Sequence, residues 1–376
     1  MKNTQTKLKY KPRRKKKKVN TRHGRNHTSK QHGGKKSQTR RIPKKDRIKV
    51  PKEVNGTMAQ CSPYSRKNRL FRDSCFSKET LDEIVKGYNS QYKDDHIDSK
   101  QNSTQLRKQL NEKLPQKIHC TDDMCWIDKL IMNSSTKTKI KEQLFRPRKP
   151  EKWINEPKKW LTNHDIQNVL NQYEKAYPEF HFIGPSPLDY DTKPYETNCV
   201  CNRLCNFSLE KEFKKGIRKI GITFNEDTHD KSGSHWVSFF IDLDDQFIMF
   251  FDSAGNTMLA PMKRFQDTVV DQGTKFFEKP FRVYRNHHEH QKRNTECGMY
   301  SLYFIIAMLL RKIDILQDDK YDNSVPDVKL NKVIRGGTLN KMPLDDLLYY
   351  FTKQRIPDKF VHQYRDLLFS SLGKNA

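Results

Sequence analysis

The chain has 376 residues, 73 Lys and Arg against 45 Asp and Glu, a formal net charge of +28 and a mean hydropathy of −0.98. That length gives room for one to three domains, and that charge points to anionic partners. No stretch of about 20 clean apolar residues and no secretory h-region occurs, so the sequence is expected to be soluble, with no membrane contact and no export by signal peptide.

Residues 1–54 read as a disordered basic tail. The first 50 residues hold 21 Lys and Arg against one acid, Asp46, including Arg13-Arg14-Lys15-Lys16-Lys17-Lys18. So few apolar residues cannot offset the entropy of ordering. Such a block is expected to contact polyanions, with nucleic-acid binding that is blind to sequence. A solubilising tail or a nuclear-localisation-like signal is the alternative. Gly33-Gly34 in this tail is a candidate self-cleavage site, and Gly336-Gly337 reads as a turn.

Residues 55–150 read as a small helical domain and linker. Ser77 caps a short helix through Leu81, Ile84, Val85 and Tyr88. Leu106, Leu110 and Leu114 suggest a second helix, ended by Pro115. Cys125 to Ile131 suggests a third, and the basic stretch Arg146 to Pro150 reads as a linker. Residues 151–376 then form the third unit, closed by helices over Leu344–Thr352 and Lys359–Leu368. It opens on Trp160-Leu161, followed by an N-capped amphipathic helix with Ile166, Val169, Leu170 and Tyr173 at near 3–4 spacing.

Eight cysteines are spread along the chain. Cys199, Cys201 and Cys205 form the one cluster that could hold zinc, with Cys120 and Cys125 as further candidates. Cys-x-Cys is not the usual structural-zinc pairing, so no metal is assigned and free thiols are the expectation. Oxidising surroundings would relax that expectation.

The chemistry concentrates further along. Ser234-His235-Trp236 opens a strand-like run, Asp244-Asp245 reads as a turn, and a second strand from Gln246 ends at Asp252-Ser253. This hairpin puts His235 and Asp252 at one end of a sheet. Cys297-Gly298 precedes the apolar run Met299 to Leu310, long enough for a buried helix. Cys297 thus sits where a loop becomes a helix, whose free N–H groups and dipole favour a thiolate. An Asp-oriented His beside such a sulfur is a nucleophile, base and orienter set.

His235-Trp236, Asp252-Ser253 17 residues on, and Gln291 six residues before Cys297-Gly298 together resemble the ubiquitin-like-protein-specific protease family. That family includes SUMO proteases and the maturation proteases of adenoviruses and large DNA viruses. The resemblance implies a papain-like α+β cysteine protease, with a central antiparallel sheet from about Ile220, Val237, Phe247 and Phe281 packed on the Cys297 helix. It implies His235 as base, Asp252 as orienter, Cys297 as nucleophile and Gln291 as oxyanion donor, with no cofactor. Trp160 and Trp236 would wall an aromatic tunnel that passes only a Gly-Gly segment of a protein substrate. The spacing from Trp160 to Asp165 departs from the family's usual pattern.

The helical extension, the basic tail and the stretch Phe182 to Tyr190 look most like the proteases of large DNA viruses. The expected function is therefore maturation of viral precursor proteins, in the virion or the host cytoplasm. Alternatives are a SUMO-like isopeptidase and a non-enzymatic nucleic-acid-binding protein with a protease-like domain.

Overall fold

The computed structural model describes residues 60–71, 74–120, 122–194, 198–313 and 341–370. The basic tail, Gly33-Gly34 and Gly336-Gly337 lie outside the described residues.

Five helices come first: α1 (Pro63–Asn68), α2 (Lys78–Gln91), α3 (Ser103–Ile118), α4 (Asp123–Lys129) and α5 (Ser134–Leu144). Ser77 caps α2, its hydroxyl accepting from the Thr80 N–H, and Asn102 with Gln105 forms a capping box on α3. Pro115 does not end α3, which runs on to Ile118. It stands in the last turn, where it removes few helical hydrogen bonds, and His119 in the left-handed region makes the real stop. Leu81, Ile84, Leu106, Leu110, Trp126 and Phe145 share one buried cluster. Asp123 ties it together, accepting from the Ser74 hydroxyl (2.6 Å), the Cys75 N–H (2.8 Å) and Arg107 (2.8 Å).

The free-thiol expectation is overturned in this region and beyond. Cys61 pairs with Cys75, Cys120 with Cys125, and Cys199 with Cys205. Their Cα atoms lie 5.2, 5.8 and 6.3 Å apart, within the range a disulfide spans. Cys201 and Cys297 are free. Among the described residues no three His, Cys, Asp or Glu side chains are grouped to hold a metal ion.

After a short turn, α6 (Lys152–Asn155), the chain enters α7 (Asn163–Ala176), capped by Thr162 with Asp165. A five-stranded sheet follows in order β1 (Phe180–Ser186), β2 (Lys219–Asn225), β3 (Trp236–Asp242), β4 (Phe247–Phe251) and β5 (Arg282–Arg285). The three central strands are antiparallel, as expected, but β1 and β5 pair parallel to their neighbours. Parallel neighbours need crossovers. Here α8 (Asn202–Cys205) and α9 (Leu209–Lys214) lie between β1 and β2, and α10 (Ala260–Phe277) lies between β4 and β5.

Alternation along the strands separates two cores. Phe240, Phe247, Met249 and Phe251 join the core of α11 (Cys297–Leu310), while Val237, Phe239, Ile241, Ile248 and Phe250 join that of α10. Helices cover both faces, so the central strands read as continuous apolar runs. Helix α11 is buried from Cys297 to Leu309, and the closing helices α12 (Leu344–Lys353) and α13 (Asp358–Leu368) pack on its far side.

Candidate active site

The hairpin register pairs Ser238 with Phe251. His235, just before β3, and Asp252, just after β4, therefore stand at one sheet end. His235 Nε2 lies 2.6 Å from Asp252 Oδ1. The Cys297 side chain acts on the same ring, and Nε2 is already committed to Asp252, so Nδ1 is the nitrogen left for sulfur. Cys297 is the first residue of α11 and is buried. The three side chains that the sequence singled out thus meet at one point.

Burial opposes charge on the imidazole, but Asp252 and Cys297 together push His235 up to about 10. Both partners therefore favour the protonated ring. Burial would raise the Asp252 carboxyl, but His235 and the N–H groups of Ala254 and Asn256 hold it below its usual range. Those N–H groups donate at 2.9 Å to Oδ1 and 2.7 Å to Oδ2. The carboxylate is fully buried yet has no lack of donors. Burial also lifts the nearby Glu226 carboxyl above its usual range.

Several residues that the sequence reading did not single out complete this shell. Asn286, fully buried after β5, receives the Asp252 N–H on Oδ1 (2.9 Å) and donates from Nδ2 to the Asp252 carbonyl (2.6 Å). The turn then tightens at Gly255, whose φ is +71°. A Cβ there would meet His288 and Glu289 backbone atoms at 3.0 Å, so the position demands glycine.

Gln291 is brought to the same turn. Its N–H donates to the Ser253 carbonyl (2.8 Å), and the Ser253 hydroxyl donates to its Oε1 (2.8 Å). That second bond fixes which end of the amide is the donor: Nε2 donates to the Arg293 carbonyl, in the loop that leads to Cys297.

The residue before the cysteine is clamped from far along the chain. Glu296 is buried; His362 Nδ1 lies 2.8 Å from its Oε1, and Arg365 Nε donates to its Oε2 at 3.0 Å. Arg365 also donates to the Thr295 carbonyl (3.2 Å), and its guanidinium stacks 4.6 Å over Trp153. Helix α13 thus holds the start of α11. A Glu directly before Cys-Gly was the available signal, but nothing local named its partners.

The two tryptophans converge through Leu161. Trp236 Nε1 donates to the Leu161 carbonyl (3.0 Å), and Trp160 Nε1 donates to the Asn294 carbonyl (2.6 Å). Leu161 itself packs against Gly298, where an added Cβ would lie 2.9 Å from Leu161 Cβ. Trp160 is 37% exposed beside an open cleft shared with Thr295, while Trp236 is 8% exposed.

Residues 209–325 match the model of the Ulp1 protease family, C-terminal catalytic domain. That span contains His235, Asp252, Gln291 and Cys297 and leaves out Trp160. A thiol protease of Acanthamoeba polyphaga mimivirus is 30% identical over 272 residues, covering 66% of this chain and 84% of the relative. A SUMO-1 cysteine protease of African swine fever virus is 30% identical over 157 residues, covering 40% of this chain, which spans 58% of that protein's length. The crystal structure of the African swine fever virus protease superposes with a TM-score of 0.50 at 20% identity, over 86% of this chain and all of that one. The chain belongs to the Ulp1 family of cysteine proteases.

Proposed function

We propose that this protein is an endopeptidase that cleaves after Gly-Gly-type sites in viral precursor proteins, with Cys297 as nucleophile. The observation that carries the reading is His235 held between the Asp252 carboxylate and the Cys297 sulfur at the start of a buried helix. Asp252 fixes the ring so that Nδ1 serves the sulfur. Sulfur attacks the scissile carbonyl carbon, and negative charge moves to the carbonyl oxygen. Gln291 Nε2, turning from the Arg293 carbonyl, and the Cys297 N–H stabilise that oxygen; one such donor is worth about 2.7–4 kcal/mol. The tetrahedral centre collapses, the C–N bond breaks, and His235 gives its proton to the departing amine. Water, deprotonated by the now neutral His235, then releases the acid from the thioester.

Trp160 and Trp236 supply the reason for small residues. Both indole N–H groups are spent on backbone carbonyls, so the rings are fixed in place, and the exposed Trp160 offers an apolar face to a passing chain. Side chains beyond glycine or alanine would have to displace them. The basic tail would add sequence-independent nucleic-acid binding, suited to work inside a nucleoprotein particle. Among the described residues no helix is long and apolar enough to cross a membrane.

The test is a fluorogenic Gly-Gly peptide incubated with the full chain and with Cys297→Ala, alongside a SUMO conjugate. Hydrolysis of the peptide that disappears with Cys297→Ala supports the reading. Efficient deconjugation of SUMO would instead favour the isopeptidase alternative, and hydrolysis unaffected by Cys297→Ala would remove the nucleophile assignment.

A further inference from the structure

A second cavity, of about 620 Å³, lies away from the catalytic residues, between α5, the 145–148 linker and α7. Its lining is rich in donors. Lys141, Arg146, Arg148 and Lys175 supply four cations, and Asn168 and Asn171 add side-chain amides. Against them stand Glu142 in the lining and Asp128, which Lys141 and Arg148 share. The wall keeps a surplus of positive charge.

Arg146 is the unusual member. It is only 6% exposed, so its charge has left water. Its Nε donates to the Cys61 carbonyl (3.0 Å), but Nη1 meets no partner. The charged group that acts on it is Arg66, which repels it, and the buried Tyr173 phenol is its other electrostatic neighbour. Burial, with Arg66 adding to it, brings this guanidinium down to about 9. A buried cation without a carboxylate is strongly unfavourable, and proteins ordinarily pair it or leave it out. Here the backbone also holds it in place: its N–H donates to the Gln60 carbonyl at 2.7 Å.

We propose that this cavity binds a phosphate-bearing ligand, with Arg146 as its buried anchor. A guanidinium donates charge-assisted hydrogen bonds to phosphate oxygens, and the surrounding lysines suit a ligand with more than one negative charge. The space is that of an ordinary small-molecule site. The same chemistry could come from a free polyphosphate or from the backbone of a nucleic acid threaded between α5 and α7.

The test uses the full chain in phosphate-free buffer, with inorganic tripolyphosphate as probe and NaCl at matched ionic strength as reference. Arg146→Met replaces the buried cation with an apolar stem, and Lys175→Glu reverses an exposed wall charge with little risk to folding. The basic tail is present in all three proteins, so the difference between parent and variants reads the cavity. We expect tripolyphosphate to raise the parent's Tm saturably, by about 5 °C at a hundredfold excess over Kd. Both variants should lose most of that rise. A short DNA duplex that gives the same variant-sensitive rise would make the nucleic-acid backbone the source, whereas a response to tripolyphosphate alone would make it a free phosphate compound. No rise in the parent, an equal rise in all three proteins, or an equal rise with citrate would overturn the proposal. If Arg146→Met does not fold, Lys175→Glu alone decides by the same criterion.

Discussion

Gly298 offers a direct test of how the tryptophan segment is seated. An alanine Cβ there would stand 2.9 Å from Leu161 Cβ and 3.1 Å from its Cγ and Cδ1. Two effects compete. Alanine in a helix gains up to about 1 kcal/mol over glycine. Overpacking a tight contact costs about 1–3 kcal/mol. The clash should win, because the nearest atom is a Cβ, which a rotamer change cannot move. Relief requires the Trp160-Leu161 backbone to shift, and that backbone accepts the Trp236 indole N–H while Trp160 is tied to Asn294. Each of those hydrogen bonds is worth about 0.5–1.5 kcal/mol. The net expectation for Gly298→Ala, after the alanine gain, is a loss of about 0.5–3 kcal/mol, read as a lower Tm by thermal unfolding. With the walls displaced, kcat/KM on a Gly-Gly peptide should fall by about tenfold or more, since small misplacements at a reacting centre are expensive. A Tm equal to or above the parent's, with kcat/KM unchanged, would refute the close packing of Leu161 on the start of α11.

Four further outcomes are expected. Cys297→Ala abolishes peptide hydrolysis while leaving the melting curve close to the parent's, which an activity assay beside a thermal scan will check. Ser253→Ala frees the Gln291 amide to turn; kcat should fall by about tenfold, less than the 10²–10³ expected for Gln291→Ala, with KM little changed. His235 is raised above its ordinary value, so its contribution to stability is complete below about pH 6.5 and is lost as pH rises through about 10. His235→Ala should therefore flatten the alkaline side of the stability-against-pH curve, and turnover in the parent should decline over that same alkaline range as the proton for the leaving amine is lost. Changing both Cys61 and Cys75 to Ala opens a loop of 14 residues and should cost about 3 kcal/mol, measured by denaturant unfolding under non-reducing conditions.

Which parts of this molecule were readable in advance follows from how far apart in sequence the interacting groups lie. His235 and Asp252 are joined by one hairpin, so alternation and an Asp-rich turn are enough to bring them together. Cys297 announces itself by the apolar run that follows it. The helix cap at Ser77 is also local and appears where the residue type placed it, and the expected N-cap ahead of Ile166 is Thr162. Strand β1 was not among the strands expected from the sequence, and it carries Gly184 and Pro185. It is an edge strand, where a missing N–H is tolerated, and its pairing with β2 is irregular between Ile183 and Ser186.

The clamp on Glu296 shows the opposite limit. Its partners His362 and Arg365 are 66 and 69 residues away, and nothing in a helix spelled Asp-Lys-Phe-Val-His-Gln-Tyr-Arg marks two positions as facing a catalytic loop. The cysteines failed for another reason. Free thiols were expected from an argument about cellular environment, whereas pairing depends on which Cα atoms the fold brings within reach. The same reasoning bears on the site itself. Helix α13 fixes the residue next to Cys297, and α11 carries Cys297 as part of the core, so positioning of the sulfur is inseparable from packing of the C-terminal helices. Arg365→Met should therefore leave the His235–Asp252 pair intact yet slow turnover, with KM almost unchanged. Alkylation of Cys297 by iodoacetamide would distinguish this from simple unfolding: an altered alkylation rate in a protein of near-parental far-UV circular dichroism supports the clamp, and unchanged alkylation and turnover would refute it.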